Sequence, residues 1–425
     1  MATKYRVGNE NKHFLESFVD LAFFAWIILT FFLERNIVGR IALAVFAGTV
    51  VLFMLLRDRI SGNLQSKLTI ANLYFFSYAL FLFYNHWNVN HGPYVLNRGV
   101  ADTMFNTLCL NFIFIYCVYK YCVLKKKMDE ILNIYVIANM IIMAIIIAVS
   151  GKEILSGRLG GAMDINANVV ALAMINCLII AMHKNAKEKK AINTIIMIIC
   201  IGAILLTGSR KGLIGMALAL VLYQVMDKGW KKYKNLFIVA VVMIFAYFLI
   251  MNVEPLYNIA GHRVEALLSY FKGESFNEAS LETRDQYIEL GWKYVGKNLW
   301  LGYGIDCFRV LDGAYKTYSH NNYLEIMFGC GIVGTVFYYL GYLYVLLGHL
   351  KLYLKYKITD SKPYVILMVV QMFLEYANVT YFERTGILFV VLSLGALQLS
   401  KSKINITEGK DKDAKNIKEI DEKSV

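Results

Sequence analysis

Apolar residues in this chain run in long blocks, each closed by charge or a polar cluster, instead of alternating or marking one helical face. Many blocks approach the ~20 residues a helix needs to cross a bilayer. Continuous runs lack the polar/apolar alternation of strands around a wet lumen, so the spans are predicted to be helices. The blocks fall at 17–33, 38–56, 68–84, 105–122, 131–149, 167–183, 192–207, 213–226, 236–253, 325–349, 363–379 and 385–400. The pattern predicts an all-α integral membrane protein of about twelve transmembrane helices. One long polar stretch interrupts it. The expected division is an N-terminal bundle at 1–253, a large extracytoplasmic loop at 254–323, C-terminal helices at 324–400 and a disordered cytoplasmic tail at 401–425.

Composition agrees with the block pattern. Hydrophobic residues make up 58% and charged residues 18%, whereas a soluble globular chain carries about a quarter charged residues. A net charge of +13 would point to nucleic acid in a soluble protein, but here the lysines cluster on alternate connections. They group at Lys4 to Lys12, Arg57 to Lys67, Lys120 to Lys127, Lys184 to Lys190, Lys228 to Lys234 and Lys351 to Lys362. Short cytoplasmic loops carry the Lys/Arg excess, which sets both termini inside and leaves no nucleic-acid role to explain. The 7 cysteines show no paired or metal-type spacing. The first apolar run lacks a small-residue cleavage site and reads as an anchor.

The opposite connections hold the unusual residues. Arginine there runs against the charge bias, yet Arg158 stands in Gly157-Arg158-Leu159-Gly160-Gly161, Arg210 in Gly208-Ser209-Arg210-Lys211-Gly212, and Arg284 follows Thr283. Snorkelling to phospholipid headgroups is one reading. Three arginines in separate loops, each beside small residues, support another. Guanidinium grips phosphate oxygens with two prongs while small neighbours let backbone N–H groups approach, which predicts a pocket for phosphate or pyrophosphate.

Within the loop, 254–272 and 284–295 have helical spacing of apolar and aromatic residues, and Gly302 and Gly304 mark turns. His320 closes the loop just ahead of Asn321, Asn322 and Tyr323. It reads either as an interfacial histidine bonded to a neighbour or as a general base for a sugar hydroxyl, with the asparagines offering donors and acceptors. Glu375 and Gln371 lie inside an apolar span, where a carboxylate costs about 2.5–3.5 kcal/mol. They are either packing partners or part of an acceptor cavity, and the part taken by Arg384 stays open.

The T-G-S-R turn (Thr207 to Arg210), the T-R of Thr283 and Arg284, the W-x-L-G-x-G-x-x-x-F pattern from Trp300 to Phe308 and S-H-N-N-Y-L-E from Ser319 to Glu325 follow in order. Together they resemble the O-antigen ligase/polymerase superfamily. Arg158-Leu159-Gly160-Gly161 with Asn166-Ala167-Asn168 is similar to that family's R-x-x-G and N-x-N segment, with Ala167 where proline is common. The resemblance covers about residues 150–345 and implies a helical bundle of GT-C-like type in the bacterial inner (cytoplasmic) membrane, its site on the outer face. It also implies a metal-independent, inverting glycosyltransferase without cofactor that uses a glycan linked to undecaprenyl pyrophosphate. By position, His320 matches the catalytic base; Arg210 and Arg284, and more weakly Arg158, match pyrophosphate-holding arginines. Ser209, Asn321, Asn322 and Tyr323 are expected to bind substrate. The Wzy-type polymerases of O-antigen, capsule or exopolysaccharide and the ligases both fall within this resemblance, with chain-length regulators and flippases as expected partners. A lipid-linked oligosaccharide flippase is the rival of another class, although the single large loop breaks the two-halves symmetry such a protein should show.

Overall fold

The computed structural model describes residues 2–33, 37–61, 73–151, 158–163, 165–227, 229–272 and 279–422. Every regular element among them is helical. The helices are α1 (Ala2–Leu33), α2 (Ile37–Ser61), α3 (Leu73–His91), α4 (Arg98–Lys125), α5 (Met128–Ser150), α6 (Ala167–Lys187), α7 (Ala191–Leu206), α8 (Arg210–Val225) and α9 (Trp230–Asn252). A single turn α10 (Glu254–Leu256) and a π-helical turn (Tyr257–Gly261) lead into α11 (His262–Lys272). They are followed by α12 (Ala279–Val295), α13 (Asn322–Leu354), α14 (Lys362–Leu374) and α15 (Arg384–Glu422).

Eight of these helices are long and apolar enough to cross a membrane, which makes this a membrane protein. The expected spans that overlap α3, α7, α8 and α14 do not reach that standard, and residues 68–72 of the first of these lie outside the described residues. The reason is chemical. α3 ends in a polar run containing Asn85, His86, Asn88 and Asn90, while α7, α8 and α14 have only 16, 16 and 13 residues. α7 and α8 meet at Thr207–Ser209, and α14 stops before Glu375, so polar residues end these helices. The tail departs from expectation too. α15 continues as one helix to Glu422 instead of dissolving at 401. No proline follows Pro363, and a Lys- and Glu-rich sequence extends a helix already nucleated by an apolar span.

Short connections make successive helices antiparallel, so one end of the bundle gathers lysines and the other gathers the arginine-bearing loops. At the lysine end, ion pairs tie helices together: Lys125 to Asp20, Lys187 to Asp360 (2.7 Å) and Lys362 to Asp227. Between the ends, aromatic rings fill the core, with Trp26 against Phe114 at 4.8 Å and Phe23 against Phe46 at 5.5 Å.

The connection between α12 and α13 is fastened to the bundle by its backbone. α13 is broken at Gly331 (φ 59°, ψ −167°), and the groups freed there pair with the preceding loop. Tyr303 N–H donates to Phe328 O (2.9 Å), Gly304 N–H to Gly329 O (2.8 Å) and Ile332 N–H to Leu299 O (2.9 Å). A Cβ on Gly302 (φ +72°) would lie 2.6 Å from the backbone of Gly329 and Cys330, so only glycine fits this crossing. The W-x-L-G-x-G pattern is thus a clasp that holds the loop against α13.

Candidate active site

Three segments far apart in sequence form one unit around the T-G-S-R turn. Ser209 Oγ caps α8 by accepting from Gly212 N–H (3.1 Å) and donates to Asn168 Oδ1 (2.7 Å). Asn166 caps α6, its side chain accepting from Asn168 N–H (3.0 Å). Arg158 Nε donates to Thr207 O (2.9 Å), and Leu159 N–H to Leu206 O (3.0 Å). Gly208 (φ +55°) lies directly beneath the π-helical turn, where a Cβ would come within 2.2 Å of Ile259 O. Ser209 is buried and committed to these bonds, which places it in the scaffold of the site.

The arginines named from sequence converge. The Arg158 guanidinium is held down to about 10, first by burial and then by the charges of Arg263, Arg210 and Arg284. Arg263, near the start of α11, was not singled out by the sequence reading. Such a cluster of like charge favours an anion that can be shared among several guanidinium groups.

Beside it lies a polar cavity lined by Asn166, Asn168, Lys211, Arg284, His320 and Glu383, with Tyr318, Asn378 and Thr380 completing the wall. Lys211 stands in the first turn of α8, ahead of the apolar run from Leu213. Its Nζ donates to Ala377 O and to Asn378 Oδ1 (2.6 Å). Burial, then Arg284, pull its pKa down to about 7, with Glu383 opposing. Apart from Arg284 on α12, the cavity-lining residues come from the N-terminal parts of α6 and α8 and from the residues just before α13 and α15. Four positive helix-dipole ends therefore face the same space.

His320 is held in an unusual pose. Its φ is +60°, a left-handed conformation that persists in a non-glycine residue only when its surroundings enforce it. Ser319 N–H donates to Glu325 Oε2 (2.8 Å), Ser319 Oγ to Asn321 O (3.0 Å), and the Asn321 side chain caps α13 by accepting from Leu324 N–H (3.1 Å). The imidazole lies parallel to the Tyr287 ring (6.2 Å, 6°) and edge-on to Tyr318 (4.6 Å). Burial, then Arg284 and Lys211, lower its pKa to about 4, so the ring is neutral near pH 7 and can accept a proton.

Asn322 and Tyr323 do not line this cavity; they point into the bundle. Asn322 Oδ1 accepts from Thr380 N–H (2.9 Å) and Tyr381 N–H (3.0 Å), while its Nδ2 donates to Tyr339 Oη (2.9 Å). Tyr339 Oη in turn donates to Glu375 Oε2 (2.9 Å), and Thr380 Oγ1 to Glu375 Oε1 (2.8 Å). Tyr323 Oη donates to Met372 O (2.7 Å). Glu375 is fully buried in this network, which ties the cavity wall at 378–383 to the helix that follows His320. Arg384 lies in a neighbouring pocket with Arg40 and Asn106.

A second cavity adjoins the polar one. It opens between α1, α5, α6 and α15, is lined mainly by apolar groups such as Trp26, Tyr135 and Leu388, and shares Val169, Leu172 and Glu383 with the first. A charged head and an apolar tail could be held side by side here.

Residues 195–339 match the family model described as O-antigen ligase. The matched stretch runs from within α7 into α13 and includes the T-G-S-R turn, Arg284 and His320. No curated protein matches the chain.

Proposed function

With residues 195–339 in the O-antigen ligase/polymerase superfamily, we propose that this protein polymerises a surface polysaccharide. In this reading it transfers glycan from undecaprenyl pyrophosphate to a sugar hydroxyl on the outer face of the bacterial cell membrane. The observation that carries the reading is one cavity lined by a neutral His320 together with Arg284 and Lys211, beside the cluster of Arg158, Arg210 and Arg263.

The acceptor oxygen attacks the anomeric carbon as His320 takes its proton. The bond from that carbon to the pyrophosphate oxygen breaks, and the electron pair leaves with the diphosphate. Attack from the face opposite the leaving group inverts the anomeric centre. Negative charge grows on the departing oxygen, so fixed guanidinium groups and helix N-termini stabilise the transition state more than the bound donor. The apolar cavity between α1, α5, α6 and α15 gives the polyprenyl chain a route toward lipid. Asn166, Asn168 and Glu383 supply hydrogen-bonding groups for sugar hydroxyls.

Deleting the gene and analysing lipid-linked and surface glycans tests this reading. Accumulated single repeat units fit a polymerase. Full-length chains stranded on the carrier fit a ligase and would replace the polymerase reading. Repeat units trapped on the cytoplasmic side would indicate a flippase and overturn glycosyl transfer.

A further inference from the structure

The lysine end of the bundle holds a wedge that glycosyl transfer does not use. It lies between α7, α8 and α9, where α9 packs along α8, α10 and the π-helical turn while α7 packs on α6 and α8. The lining changes with depth along three helices at once. On α7 it passes from Thr194 through Met197 to Ile201; on α8 and the turn that follows it, from Asp227 and Gln224 to Leu220; on α9, from Asn235 to Val242.

Lys189 and Lys190 stand exposed at the polar mouth. Asp227 is neutralised by Lys362, and Lys190 also meets the exposed Glu188 (2.5 Å), a surface pair that binds weakly. The mouth therefore favours an anion. From Ala191 to Ile201 the helix rises about 15 Å, the depth of one leaflet of a ~30 Å hydrocarbon core. An apolar gap at that depth in a bilayer is filled by an acyl chain, because water there would lack hydrogen-bond partners.

We propose that this wedge binds one anionic phospholipid, with its acyl chain between α7 and α9 and its phosphate on Lys189 and Lys190. The site lies at the opposite end of the bundle from the arginine cluster and does not depend on the reaction assigned there.

The test is to delipidate the purified full chain in nonionic detergent and titrate it with dioleoyl phosphatidylglycerol or dioleoyl phosphatidylcholine, counting bound lipid by native mass spectrometry. One phosphatidylglycerol should be retained at least tenfold more tightly than phosphatidylcholine. The double variant Lys189→Glu/Lys190→Glu should abolish that preference, and Lys189→Arg/Lys190→Arg should keep it. Met197→Trp, which fills the deep part of the wedge, should expel both lipids. Equal retention of the two lipids, an unchanged preference in the charge-reversed variant, or a polypeptide occupying the wedge in place of lipid would each overturn the proposal.

Discussion

The ring of His320 lies 6.2 Å from that of Tyr287 and within 6° of parallel, which joins the segment just before α13 to α12. α12 also carries Arg284, so one helix presents both a flat support for the imidazole and a cation that adds to burial in lowering its pKa. Replacing His320 with alanine is expected to lower kcat about 10²–10⁴-fold, the range for a lost general base. Tyr287→Phe keeps the flat support and should stay near wild type, whereas Tyr287→Ala should lower kcat with little effect on donor KM. Polymer formation by membranes supplied with lipid-linked repeat units measures both.

Arg284→Lys and Arg210→Lys retain charge but lose the two-pronged grip, and each should cost about 10²-fold in kcat. Arg263→Ala should raise donor KM more than it lowers kcat, as expected of a group near the diphosphate but away from His320. Steady-state kinetics against donor concentration separate these effects. A wild-type rate in either lysine variant would remove that residue from the clamp.

Two groups in the cavity give the pH profile opposite limbs. His320 accepts a proton only when neutral, and its pKa of about 4 keeps it so throughout the neutral range; activity should fall as pH drops through that value. Arg284→Gln removes a charge that depresses this pKa, so the acid limb should move to higher pH. Lys211, at about 7, holds an anion only when protonated, and donor KM should therefore rise as pH climbs through that value. In Lys211→Arg the alkaline rise should disappear. Initial rates across pH check both limbs.

Gly208→Ala tests the turn. Alanine at φ +55° costs about 1–3 kcal/mol in backbone strain alone, and its methyl would also strike Ile259 O, which cannot move away without lifting the π-helical turn. Lower thermal stability and loss of activity are expected together. Ser209→Ala should lose a helix cap, worth about 1 kcal/mol, with a smaller fall in activity.

Asn322→Ala should behave as a scaffold mutation. Thr380 N–H and Tyr381 N–H would each lose a buried acceptor, for an expected loss of about 2 kcal/mol or more. KM for the donor should stay near wild type while stability falls, as thermal unfolding alongside kinetics would show. A selective rise in acceptor KM at wild-type stability would instead return Asn322 to sugar binding.

The block pattern made the helices legible because crossing a bilayer demands long apolar runs whatever the tertiary packing. Their ends were harder to read. α7, α8 and α14 stop short at the buried polar residues Thr207, Ser209 and Glu375, whose hydrogen bonds replace further helical turns. Arginine on the lysine-poor side pointed to Arg158, Arg210 and Arg284, which the structure brings within electrostatic reach of one another. The same rule, applied to Arg263 beside Gly261 and His262, would have found the fourth. Lys211 was hidden by its neighbour Arg210, because successive residues leave a helix about 100° apart and sequence does not say which one faces the cavity. For the same reason the sequence did not show that Asn321, Asn322 and Tyr323 all lie outside the lining of the cavity. Once Asn321 caps α13, the next two side chains turn inward.

The break at Gly331 divides α13 into a short outer piece beginning just after His320 and a long inner shaft. Residues 299–304 hold both pieces through the main chain, bonding Phe328 and Gly329 before the break and Ile332 after it. A displacement of that loop is therefore felt by both pieces of α13 at once, and the short piece carries it to the backbone beside His320.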